Sequence, residues 1–237
     1  MRVCHVRKNI LSKEQLAIAM KIILILFFAF TFGKKDTCAY SDNVLPLSCD
    51  QIRELVDGHN SRRLRVAQGK VAGQPAAKEM KMMVWDEEIA AKASKWAEKH
   101  EFNHNPDTNL QSSRFTTGEN LYWYSTTDST AVPELDLVIE SWFQEHANYT
   151  FGPLKPSDFK TNYHIGHYTQ VVWFNSTYLG CAVSKKNKFK WYEFIVVCNY
   201  GPPGNYIGEK PYEEYNGNST QLVCDQSECD HPYGLKC

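Results

Sequence analysis

Four side chains in this sequence are of the types that proton transfer or metal binding needs: His104, Glu119, Glu145 and His167. An imidazole titrates near neutrality and ligates through a neutral ring nitrogen, while a carboxylate serves as base or ligand. Two of each converging in one cleft would bind Zn²⁺ or trade protons as acid and base. His104 stands in Phe102-Asn103-His104-Asn105-Pro106, after a helical stretch. Glu119 stands in Thr117-Gly118-Glu119-Asn120-Leu121, where a glycine precedes an acid that enters an apolar run. Glu145 follows Trp142 by three residues and Val138 by seven, which at helical spacing puts a carboxylate on an apolar face, where none is expected. His167 lies in Gly166-His167-Tyr168-Thr169-Gln170-Val171-Val172-Trp173, between a glycine and a β-prone run, as a loop–strand junction at a sheet edge would place it. Spacing alone leaves the grouping open. There is no His-Glu-x-x-His and no close His pair on one helix, and the plainer alternative is that the four brace a cleft by hydrogen-bonding one another. A nucleophile for catalysis is not evident: no Gly-x-Ser-x-Gly occurs and the cysteines are expected to be oxidised, so a metal-activated water would be the remaining route, for example in a metal-assisted peptidase.

The elements that must position these residues can be read from pattern. Ser48-Cys49-Asp50-Gln51 fits a capping box, and Ile52, Leu55, Val56 and His59 then recur at helical spacing. A second helix should follow Asp86, with Ile89, Ala93, Trp96, Ala97 and His100 on one stripe. Pro133 suits the first turn of a third, whose buried face would be Leu135, Val138, Ile139 and Trp142. Thr169–Phe174, Tyr178–Val183 and Lys190–Tyr200 are rich in β-branched and aromatic residues and predict strands, with turns at Asn175-Ser176 and Lys185–Lys188. Cys181 and Cys198 would then lie on neighbouring strands in reach of a cross-strand disulfide. A tight turn at Lys186–Lys188 would not set them directly opposite, so a bulge is expected. From Gly201 on, Gly, Pro, Asn and Tyr dominate, as in a loop-rich tail stapled by cysteines rather than a second cored domain.

Of 237 residues, 43% are hydrophobic, enough for one well-cored domain with appendages. Lys21 precedes an uncharged apolar run, Ile22–Phe32, too short to span a bilayer and of the length of a secretory signal core. Met20-Lys21 makes a compact start to it, and Thr37-Cys38-Ala39 offers a cleavage site, with Thr31-Phe32-Gly33 competing. Cleavage after Ala39 removes Cys4 and Cys38. It leaves Cys49, Cys181, Cys198, Cys224, Cys229 and Cys237, an even set for an oxidising compartment with 15 formal pairings. Three sequons, at Asn148, Asn175 and Asn218, agree with secretion. The remaining chain has 19 basic against 25 acidic residues, a net charge of −6 that disfavours nucleic acid as a partner. The reading is a secreted, extracellular protein without a stable membrane anchor.

Gly166-His167-Tyr168-Thr169-Gln170, together with His59-Asn60-Ser61-Arg62-Arg63, Gly118-Glu119-Asn120, Trp142 with Glu145, and Val197-Cys198-Asn199-Tyr200-Gly201-Pro202-Pro203-Gly204-Asn205, resembles the CAP superfamily of cysteine-rich secretory, antigen 5 and pathogenesis-related proteins, nearest its venom allergen-like branch. The resemblance covers roughly residues 45–208. It implies an α+β fold, a three-layer α-β-α sandwich around a small central antiparallel sheet. The chain then divides into an N-terminal extension with signal peptide (1–39), a CAP domain (40–208) and a cysteine-containing tail (209–237). It implies that His104, Glu119, Glu145 and His167 line one cavity, open to Zn²⁺ or another divalent cation without requiring a cofactor. It also implies that an aromatic loop holding Tyr149, Phe151 and Phe159 binds a sterol or fatty acid; Phe159 sits three residues later than the family spacing. Two family disulfides are missing as whole pairs, with His100 and Thr117 where relatives have cysteine, and Cys181–Cys198 is the pair expected to remain. The alternative function is a secreted effector acting through extracellular protein partners.

Overall fold

The computed structural model describes residues 43–217, 221–224 and 227–237. The expected signal segment, with Cys4 and Cys38, and the sequon Asn218 lie outside the described residues.

Strand β1 (Val44–Leu45) leads into helix α1 (Cys49–Ala67). Ser48 accepts from the Gln51 amide while the Gln51 side chain accepts from the Ser48 amide, so the capping box closes both ways. Two short strands follow, β2 (Ala76–Ala77) and β3 (Val84–Trp85), then helix α2 (Glu87–Ala97), whose Asp86 cap accepts from the Ile89 amide. His100 lies beyond the end of α2 with φ +52°, its Nδ1 within 2.8 Å of Ser184 Oγ, rather than on the helix stripe.

Strand β4 (Gly118–Thr126) carries Glu119; the sequence reading assigned it no element. Helix α3 (Leu135–Phe143) starts two residues after Pro133, so the proline lies outside the first turn. Glu145 falls in the following 3₁₀ turn, Gln144–Asn148, not on the apolar face of the helix. A second 3₁₀ turn spans Pro156–Phe159.

The expected strand Thr169–Phe174 is not formed. Helix α4 (Gly166–Val171) replaces it, because tertiary partners satisfy its backbone where a sheet ladder would have. The Glu145 carboxylate accepts from the amides of His167 and Tyr168, and the Arg63 guanidinium donates to the carbonyls of Val171, Trp173, Phe174 and Ser176.

The central hairpin is β5 (Tyr178–Lys188) and β6 (Trp191–Gly201), longer than the expected strands. It turns at Phe189-Lys190, not at Lys185–Lys188. The later turn places Cys181 directly opposite Cys198 with no bulge, and the two form a disulfide. The sheet order is β1-β5-β6-β4, antiparallel throughout, with β3 added in parallel to β5.

On one face, Ala93, Trp96 and Ala97 of α2 pack on Leu121, Ala182, Ile195 and Val197. Gly180 permits this, since a Cβ there would collide with the Ala90 backbone. The other face is covered by α1, α3 and α4 through Leu55, Val56, Ile139, Trp142 and Tyr168. The result is an α-β-α sandwich. The tail folds back on it: β7 (Glu214–Tyr215) pairs with β2, Tyr212 is buried, and Cys237 bonds Cys49 at the start of α1 while Cys224 bonds Cys229.

Candidate functional site

The frame is set by His59-Asn60-Ser61-Arg62-Arg63 on α1. Asn60 exchanges two 2.8 Å hydrogen bonds with the backbone of Met83 and so ties the approach to β3. Arg62 reaches Asp136 at 2.6 Å and Glu140 at 2.9 Å on α3. Burial alone would lower its pKa, but those two carboxylates reverse the sign and raise it. Arg63 is fully buried and donates to five carbonyls, the fifth being Lys81. Burial brings its pKa down to about 9, which leaves it charged at neutral pH.

His59 is also fully buried. Its Nδ1 lies 2.7 Å from the Leu55 carbonyl, which can only accept, so Nδ1 carries the proton and Nε2 accepts from the Tyr200 hydroxyl at 2.9 Å. Desolvation lowers the His59 pKa to about 3. The Tyr200 hydroxyl accepts in turn from Asn120, whose amide also donates to the His167 carbonyl. One polar chain therefore runs from α1 across β4 to α4.

The four titratable residues form two carboxylate–imidazole pairs. His104 Nδ1 lies 2.9 Å from Glu119 Oε1, which also accepts from the Asn105 amide, while Glu119 Oε2 accepts from Asn199 at 3.1 Å. His167 Nδ1 lies 2.6 Å from Glu145 Oε1, and its ring stacks on Trp142 at 6.0 Å. The Glu119 and Glu145 side chains are 9% and 13% exposed against 67% and 26% for His104 and His167, so the carboxylates sit inside and turn the imidazoles outward. Strand alternation separates the pairs: Glu119 shares the face of Leu121 and α2, whereas Asn120 serves the opposite face and α4.

A pocket of about 180 Å³ lies beside the first pair, lined by Lys92, His104, Asp107, Thr117, Glu119 and Asn199. Burial lowers the Lys92 pKa, and its ammonium donates to the Asp107 and Asn109 carbonyls.

Pairing with a carboxylate is how metal-binding imidazoles are commonly oriented. Among the described residues, however, no three His, Cys, Asp or Glu side chains are gathered to hold an ion. As placed, the donors make two pairs rather than a ready metal site, and no step is derived through a metal. The sequence reading did not assign Asn199, Asn105 or Lys92 to the site; Asn199 was within reach, because it stands in the quoted Val197–Asn205 motif.

The aromatic loop divides in two. Tyr149 is buried, with its hydroxyl donating to the Gly152 carbonyl and its ring against Phe151 and Tyr168; Phe151 packs on Tyr212 at 4.8 Å. Phe159 is 44% and Tyr163 68% exposed, and Tyr206 and Ile207 are exposed as well. A Cβ on Gly166 would meet Phe159 at 3.2 Å and Asn205 at 3.8 Å, so Gly166 seats the Phe159 ring beside the segment that carries Tyr206. Of the sequons, Asn148 is exposed and Asn175 half-buried.

The profile of the cysteine-rich secretory protein family, CAP, matches residues 56–200. The chain belongs to the CAP family. Within it, the chain is 39% identical over 166 residues to venom allergen 5 of Rhynchium brunneum, covering 68% of this chain and 72% of that one. It is 35% identical over 197 residues to venom allergen 5 of Dolichovespula arenaria, covering 76% and 95%. A crystal structure of NaASP2 with Zn²⁺ shares this CAP fold with a TM-score of 0.60 and 30% identity, over 76% of this chain and 93% of that one. Among the described residues of this CAP protein, no helix is long and apolar enough to cross a membrane.

Proposed function

We propose that this CAP protein is secreted and binds a hydrophobic ligand, a sterol or fatty acid, without turning it over. The binding edge is formed by the exposed half of the aromatic loop, Phe159 and Tyr163, with Tyr206 and Ile207 beside it. The observation that carries the reading is the division of the loop. Tyr149 and Phe151 are spent on anchoring it to the core, while Phe159 and Tyr163 remain on the surface next to a second exposed apolar segment. Contiguous exposed apolar surface marks a binding site more often than chance.

Extraction of labelled cholesterol and labelled palmitate by purified protein from a eukaryotic secretory host tests this. Wild type should bind saturably. Phe159→Ser combined with Tyr163→Ser should weaken binding about tenfold or more, the equivalent of removing one or two buried rings from a contact. No binding by wild type, or equal binding by the double variant, overturns the proposal. A stable protein complex with no co-purifying lipid would point instead to an effector acting through protein partners.

A further inference from the structure

The β5–β6 hairpin projects past the helix that covers its outer face. α2 reaches along the sheet as far as Ala182, Ile195 and Leu121, and His100 meets Ser184 just beyond its end. Past that point the same face carries Trp123 on β4, Trp191 on β6, and Lys186 and Lys188 on β5, by register and alternation. Trp123 is 45% and Trp191 50% exposed. The tip itself is Phe189-Lys190, and Phe189 is 97% exposed.

Two costs meet at Phe189. Its φ of +59° lies in the left-handed region, where a two-residue hairpin turn normally has Gly, Asn or Asp. Its ring is wholly in water. Among the described residues no contact offsets either cost, and strained residues of this kind cluster at sites of function. The surrounding charge selects the partner. Lys185, Lys186, Lys188 and Lys190 fall within six residues, against one nearby carboxylate in the hairpin, Glu193, which pairs with Lys188 at 3.6 Å. Lys185 is turned to the other face over Tyr192 and Phe194, leaving Lys186, Lys188 and Lys190 around the tip. This basic cluster stands on a domain that is acidic outside its N-terminal 39 residues.

We propose that the hairpin tip docks reversibly on anionic phospholipid bilayers, with Phe189 and Trp191 entering the interface and Lys186, Lys188 and Lys190 meeting the lipid headgroups. Aromatic side chains favour the interfacial depth, and lysines snorkel to the headgroups around them. A sulfated polysaccharide would use the lysines but leave Phe189 without a role, so the bilayer is the better fit. The site is independent of the proposed ligand edge. That edge lies against α4 near the Gly201 end of β6, and the 11 residues of β6 separate it from the tip by roughly 30 Å.

The test is co-sedimentation of the full secreted protein with large vesicles of phosphatidylcholine alone or with 30 mol% phosphatidylserine, at 50 and 300 mM salt. Three lysines at roughly fivefold each predict a partition coefficient on the order of a hundredfold higher on the anionic vesicles at low salt, falling at high salt. Phe189→Gly should reduce it about tenfold, while the melting temperature stays unchanged or rises, because glycine relieves the positive φ. Equal binding to neutral and anionic vesicles overturns the proposal. So does vesicle binding that is unaffected by Phe189→Gly, a lower melting temperature in that variant, heparin binding without vesicle binding, or tip-dependent dimerisation in sedimentation velocity. Retained cholesterol extraction by Phe189→Gly separates failure here from failure of the ligand-edge reading.

Discussion

His59 should contribute a distinct part of the stability this protein loses in acid. In the fold it is fully buried, carries its proton on Nδ1 toward Leu55, and has its pKa lowered to about 3 by desolvation. In the unfolded chain it returns to about 6.5. The unfolded state therefore binds the extra proton between these values. The stabilising contribution is complete above the unfolded pKa and is lost as pH falls from 6.5 toward 3. Integrating the linkage gives a loss of about 2 kcal/mol between pH 7 and pH 5, rising to about 3 kcal/mol at pH 4. Other carboxylates and histidines also titrate, so the informative quantity is a difference. Urea unfolding with disulfides intact would be followed for wild type and His59→Gln at pH 7, 6 and 5, with equal m-values confirming comparable transitions. The variant should be less stable at pH 7, because packing and the Tyr200 hydrogen bond are altered. Its stability should nevertheless fall less with acid, so that the two curves converge by about 2 kcal/mol at pH 5. Parallel curves would refute the reasoning, and so would a His59 NMR resonance that titrates near pH 6.

Arg63→Met leaves five carbonyls without their shared donor, and should cost at least about 3 kcal/mol in chemical unfolding; a loss below about 1 kcal/mol would show that the carbonyls find other partners. Glu145→Ala removes the acceptor for the His167 ring and for two amides at the start of α4. The expected result is a loss of about 2 kcal/mol with much faster hydrogen exchange at His167 and Tyr168, and unchanged exchange at those amides would disprove the capping role.

Much of the frame was legible along the chain because it is governed by local pattern. The Ser48–Gln51 capping box, the helix start after Asp86, and the apolar spacing of Leu135, Val138, Ile139 and Trp142 each act within a few residues, and each appears as read. Family resemblance supplied the sandwich. The misreadings lie where distant groups decide. Thr169–Phe174 has strand-forming residues, yet Glu145 accepts from the amides of His167 and Tyr168 just before it and Arg63 donates to the carbonyls of Val171, Trp173 and Phe174 within it, so the chain forms a short helix and a turn there. The hairpin turn sits at Phe189-Lys190 because the long β5–β6 ladder continues through the lysines, and only that register puts Cys181 opposite Cys198.

By itself the sequence determined the helix starts, the apolar faces, the family and which side chains could do chemistry, since these depend on residue type and near-neighbour spacing. Tertiary structure alone decided how those side chains are grouped. Alternation along β4 sends Glu119 and Asn120 to opposite faces; His104 pairs with Glu119 and His167 with Glu145, while Asn120, next to Glu119 in the chain, donates to the His167 carbonyl. Tertiary structure also decided which aromatics are occupied by the core and which, at Phe159 and Phe189, stay exposed, because burial is set by what packs against a residue rather than by its identity.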